Sequence, residues 1–252
     1  MIIRKTPEEL DQMAVGGDIL VRCLKMLERK TRPGITTEEL DAAAEKFIRS
    51  QDARPAFKGY RGFPGSVCAS PNSMVVHGIP GPYELKRGDI VTLDVGVVKD
   101  GWVTDAAMTF PVGPIDTEAK RLLEVTKTSL FAGAEQMRPG KHLGDVSAAV
   151  QGVVEGAGMS VIRTLVGHGI GRDMHEEPQV PNFGKPGKGP ELEEGMVLAI
   201  EPMVNLGGPL VRMDDDGWSV FSEDGSLAAH FEFTVAVTAD GPRILTPWHL
   251  SA

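Results

Sequence analysis

Two segments of this 252-residue chain match each other at an offset of 106–107 positions, and that duplication limits the folds open to it. "TRPGITTEELDAAAEKF", from Thr31, has a counterpart in "MRPGKHLGDVSAAVQGV", from Met137. In each, Arg-Pro-Gly closes one helical stretch and an acidic residue (Glu38 and Glu39, or Asp145) opens the next. Further on, "LKRGDIVTLD" (85–94) matches "LEEGMVLAIE" (192–201), so that Gly88 leads to Asp94 and Gly195 to Glu201. A solenoid unit runs to about 20–50 residues, so this longer period predicts one domain built from two related halves. The halves fall at about 1–112 and 113–252. Each reads as helix, helix, then strands. The first helix is expected near 7–30, with Pro7, Glu8 and Glu9 at its start and Val15, Ile19, Leu20, Leu24 and Leu27 at helical spacing. Its counterpart is expected from about Thr117 to Met137. Helices segregated from mainly antiparallel strands imply an α+β layered fold.

The strands carry carboxylates where apolar residues are the rule. "DIVTLDVGVVKDGWVTDAAMTF" (89–110) reads as a hairpin turning at Asp100-Gly101. With an even-numbered loop, facing residues have an odd number sum. Asp94 and Asp105 then share one face, opposite or one diagonal step apart. Val91, Leu93, Val95 and Val97 occupy the other face. Glu201 ends the run "MVLAIE", and Glu232 interrupts "HFEFTVAV". Carboxylates gathered on one sheet face repel unless protonated or bridged by a cation. Taken singly, a strand Asp or Glu is more often a solvent-facing residue. The equivalence of Asp94 and Glu201 in the repeat shifts the weight. With one histidine, the four form a hard-oxygen donor set suited to two divalent ions such as Mn, Fe, Co or Zn. A structural zinc site would favour Cys and His instead.

"VGHGIGRDMHEEP" (166–178) supplies histidines but fits neither a dinucleotide fingerprint nor a zincin. Its third glycine comes one residue early for the first, and Gln179 stands where the second needs His. The glycines are expected to give the backbone room to pass close to a ligand. A net charge of −9 argues against nucleic acid as the main ligand. No apolar run reaches the ~18 residues of a membrane span. No long apolar segment follows Met1, so no signal peptide is expected. The two cysteines, Cys23 and Cys68, suit a reducing compartment, and the cytoplasm is the expected location.

Five stretches together resemble type I methionine aminopeptidases, the pita-bread metallopeptidases: "GFPGSVCASPNSMVVHGIP" (62–80), the hairpin above, "GHGIGRDMHEEPQVPNF" (167–183), "GMVLAIEPM" (195–203) and "FEFTVAVT" (231–238). The similarity covers nearly the whole chain. It implies a pseudo-two-fold sheet with two metal ions between its halves, and removal of the initiator methionine ahead of a small second residue. It implies Asp94, Asp105, His168, Glu201 and Glu232 as metal ligands, with Asp105 and Glu232 bridging. His77 would contact the scissile amide, His175 would polarise the carbonyl, and Glu201 would carry the proton. Tyr60, Phe63, Cys68, His77, Met174 and Trp218 would line the methionine pocket, and a monovalent cation would sit nearby. The implied partners are peptides beginning with Met and, transiently, the ribosome; a monomer with no membrane role is expected. Ser73, Val76, Phe63, Met174 and His230 depart from residues common in bacterial members. Only 33 positions separate His168 from Glu201, too few for the helical insertion of type II enzymes.

Three other readings compete. An Xaa-Pro aminopeptidase would share fold and metals but carry a sizeable N-terminal domain. A non-catalytic binding protein of the same fold would usually have lost ligands. Calcium at "DDDG" (214–217) would need alternating oxygens, and the consecutive aspartates favour a solvated turn.

Overall fold

The computed structural model describes residues 1–250. Among them are four α-helices: α1 (Pro7–Lys30), α2 (Thr37–Ser50), α3 (Thr117–Ala134) and α4 (Leu143–Gly156). Each start has a local cause. Thr6 and Glu9 form a capping box at α1, and Thr36 and Glu39 form another at α2. Asp116 caps α3, and Asp145 accepts from the His142 N–H at the start of α4. Helix α3 stops at Ala134, three residues short of the expected end, because Met137 already lies in the turn that Arg-Pro-Gly closes. Val15 is another departure, exposed on α1. The buried stripe runs instead through Leu10, Met13, Gly16, Gly17, Leu20 and Leu24. The two glycines bring the helix backbone onto the sheet: a Cβ at Gly17 would collide with the Leu245 carbonyl oxygen.

The duplication is visible bond by bond. Isolated β-bridges join Thr36 to Glu84 in one half and His142 to Glu191 in the other. Gly34 N–H donates to the Leu85 carbonyl, and Gly140 N–H to that of Leu192. In the first half, strand Ile90–Lys99 lies between Val67–Pro71 and Trp102–Pro111. In the second, Val197–Ile200 lies between Val166–Gly169 and Phe233–Thr238. Every pairing in these two sheets is antiparallel. The helices cover the outer side, and Leu20, Leu24, Leu93, Leu130, Leu198 and Phe233 belong to one continuous apolar core.

The halves meet along Trp102–Pro111 and Phe233–Thr238. Asp105 N–H donates to Thr234 Oγ1 at 3.0 Å, and that hydroxyl donates to the Asp105 carbonyl at 2.7 Å. Glu232 N–H donates to the Ala107 carbonyl at 3.0 Å. Thr109 Oγ1 donates to the His230 carbonyl at 2.8 Å. These bonds place the carboxylate-bearing stretches of both halves side by side.

Candidate metal centre and active site

The hairpin turn has two residues, Asp100 and Gly101, both at positive φ (51° and 77°). Its register pairs Gly96 with Asp105 and Asp94 with Ala107, so the two aspartates sit one diagonal step apart on one face. The apolar residues at 91, 93, 95 and 97 are fully buried in the core on the other. Glu201 follows strand Val197–Ile200, and Glu232 precedes Phe233–Thr238. His168 lies in Val166–Gly169, paired with Ala199. All twelve residues named from the sequence line one cavity of about 160 Å³.

Ligand atoms of Asp105, His168 and Glu232 lie within 4.8 Å of one another. Glu201 Oε1 is 3.7 Å from His168 Nε2. One oxygen each of Asp94, Asp105 and Glu232 is buried without a hydrogen-bond partner. A buried carboxylate oxygen left this way is costly, and a cation satisfies it. Burial pushes Asp94 up to about 7. It pushes Asp105, Glu201 and Glu232 well above the usual carboxylate range, with their mutual repulsion adding to it. His168 Nδ1 donates to the Gly169 carbonyl at 2.9 Å, which leaves Nε2 free as a ligand. Burial holds the His168 imidazole down to about 4, so it is neutral near pH 7. The donor set therefore fits divalent metal.

The rest of the cavity is a mixed wall. Tyr60 OH lies 2.9 Å from His175 Nδ1, and the rings stack at 5.5 Å. His175 also packs against His168, with centroids 4.3 Å apart. Desolvation first, then His168, Arg61 and His77, lower His175 to about 4. Phe63 meets Trp218 edge-on at 5.1 Å. The "DDDG" segment serves this wall: Asp216 accepts from the Trp218 and Ser219 N–H groups, an Asx turn that presents the indole. His77 sits at φ 59°, a strained backbone of the kind concentrated at functional sites. Cys68 is buried, and burial followed by the nearby Asp94 raises its thiol pKa well above normal, which disfavours the thiolate.

The glycines of the 166–178 loop are sites of close packing within the protein. A Cβ at Gly167 would strike the Ala199 carbonyl, one at Gly169 the Glu177 carbonyl, and one at Gly171 the Lys5 side chain. Sequence reasoning also missed Phe57 and Arg61 in the cavity wall, and the place of His230. That histidine is buried with both ring nitrogens unpartnered, its Nε2 3.7 Å from Glu201 Oε2. Its departure from the common residue at that position was the available signal.

A duplicated antiparallel sheet holding buried carboxylates and a neutral histidine in one cavity defines a metallohydrolase-type centre. Residues 11–239 match metallopeptidase family M24. A methionine aminopeptidase of Clostridium perfringens is 54% identical over 98% of this chain and 99% of its own length. Methionine aminopeptidase 1 of Bacillus subtilis is 50% identical over the same shares. The crystal structure of the Rickettsia prowazekii methionine aminopeptidase superposes with a TM-score of 0.96 at 41% identity, covering 98% of this chain and 100% of that one. The chain thus belongs to metallopeptidase family M24 and, within it, to the methionine aminopeptidases. The prolidase of Pyrococcus furiosus, 22% identical with a TM-score of 0.80, shares the fold; this chain covers 65% of its length.

Proposed function

We propose that this chain removes the N-terminal methionine from peptides and nascent proteins whose second residue is small. The observation that carries the reading is the joining, in one cavity, of four carboxylates and His168 to an apolar wall of Phe63, Cys68, Met174 and Trp218. Asp94, Asp105, His168, Glu201 and Glu232 would hold two divalent ions, with Asp105 and Glu232 shared. Bound ions supply the Lewis acidity that water attack on an amide needs at neutral pH.

The chain's own groups do the rest. Glu201 takes the proton from the attacking water and delivers it to the leaving amine. Tyr60 OH and His175 Nδ1 are 2.9 Å apart; with the hydroxyl as donor, the neutral ring keeps its proton on Nε2. That N–H is then the donor for the carbonyl oxygen as negative charge develops there. His77 contacts the scissile amide. Asp94 receives the substrate's free α-amino group, which confines cleavage to the first residue. The apolar wall with its two sulfur-bearing side chains suits a thioether. The sodium- or potassium-sized site, the ribosome contact and the monomeric state belong to the same reading and rest on resemblance. No helix among the described residues is long and apolar enough to cross a membrane.

The test is hydrolysis of Met-Ala-Ser against an Ala-Pro peptide by chelated protein, with Mn, Co or Fe then restored. Metal-dependent release of methionine from the first alone is expected. Cleavage of the Ala-Pro peptide, or no metal-dependent release, overturns the reading.

A further inference from the structure

One charged group in the cavity wall has no part in that chemistry. Arg61 lies in the turn 59–63, which is closed by its own backbone: Gly59 N–H donates to the Phe63 carbonyl at 2.8 Å and Phe63 N–H to that of Tyr60 at 2.9 Å. Arg61 adopts φ 49° there, so the turn fixes the direction of its side chain. Its guanidinium lies 5.3 Å from the Tyr60 ring centroid. Among the described residues it forms no ion pair. Arg61 is exposed, whereas Asp94, Asp105 and Glu232 of the same cavity are buried. It therefore stands at the solvent end, beside Tyr60 and His175, where the peptide beyond the cleaved bond must leave.

We propose that Arg61 pairs with a carboxylate on the substrate downstream of its small second residue, biasing turnover toward peptides acidic at that point. The inference rests on the aminopeptidase reading above. The chain carries a net charge of −9, so an acidic peptide gains from a local positive charge at the mouth. A guanidinium held only over the Tyr60 ring gives up no ion pair to supply it, and its planar fork suits a carboxylate.

The experiment measures kcat/KM of metal-loaded protein on amidated Met-Ala-Ser, Met-Ala-Asp and Met-Ala-Lys, and on Met-Ala-Ser with a free C-terminus. The wild type is expected to prefer Asp over Lys by roughly two- to five-fold, the size of an exposed ion pair, and less so at high salt. Arg61→Lys should keep the preference, Arg61→Gln lose it and Arg61→Glu reverse it. A gain for the free acid alone, lost in Arg61→Gln, would place the carboxylate at the end of short peptides. Ratios cancel any general loss of activity. Equal ratios in wild type and Arg61→Gln, or a wild-type preference indifferent to salt, overturn the proposal. Failure of the aminopeptidase reading is distinct, since then no peptide, amidated Met-Ala-Ser included, would lose methionine.

Discussion

Glu201 is the most accessible of the four carboxylates, its side chain 13% exposed, which suits the proposed proton carrier. Glu201→Gln keeps its size and removes its basicity. kcat should fall by about 10²–10⁴-fold while the folded chain persists; undiminished turnover would remove Glu201 from that role. Tyr60 acts one bond further out. Tyr60→Phe leaves His175 Nδ1 without its hydrogen-bond partner and frees the tautomer, so kcat should drop by roughly 10-fold with KM little changed. A loss confined to KM would show that Tyr60 only lines the pocket. At this scale the sequence was readable wherever chemistry forced an unusual residue onto a regular pattern. Carboxylates in strands stand out, and parity placed Asp94 and Asp105 on one face. Arg61 and Phe57 carry no such mark, because a turn imposes no period against which they could be anomalous.

Between elements, the most instructive contact ties the N-terminal segment to the histidine loop. Lys5 Nζ donates to Glu176 Oε2 at 2.6 Å, with side-chain exposures of 2% and 5%. The other carboxylate oxygen, Oε1, accepts from the Arg172 N–H at 2.8 Å and lies near that of Asp173. Lys5 N–H also donates to the Gly195 carbonyl at 2.7 Å. The pair thus braces the residues on either side of Met174 and His175. Lys5→Met strands a buried carboxylate and should cost about 3–5 kcal/mol of stability, read by urea melts; a cost under about 1 kcal/mol would mean the pair is solvated. No sequence pattern announces it, because its partners lie 171 positions apart and each looks like an ordinary surface charge. Helix starts, by contrast, were legible in Pro7, Glu8 and Glu9 and in Glu38 and Glu39, where the causes are local, although the capping threonines Thr6 and Thr36 went unread. The glycines of 166–178 were legible only as marks of close approach, because glycine does not say to what: the sequence could not show the Ala199, Glu177 and Lys5 contacts.

For the whole molecule, the crowded carboxylates make stability depend on pH and metal together. Unfolded Asp titrates near 4, whereas in the metal-free fold Asp94 titrates at about 7. Between those values the folded chain holds more protons than the unfolded one, so metal-free stability falls as pH rises. In the proposed reading, divalent metal takes the place of those protons. The rise in Tm on adding Mn should therefore grow from about pH 5 to about pH 8, and calorimetry with and without chelator checks it; an increment that is flat or shrinks would show that these carboxylates do not hold the ion. The repeat made the two-half architecture legible from the start. Its seam was not, since the threonines that join the halves, Thr109 and Thr234, look like any strand threonines. That seam also sets a timetable. During translation Asp94 and Asp105 emerge well before Glu201 and Glu232, and neither half alone carries the full donor set. A growing chain is inert until the second half has been made and docked, so the activity is acquired late and all at once.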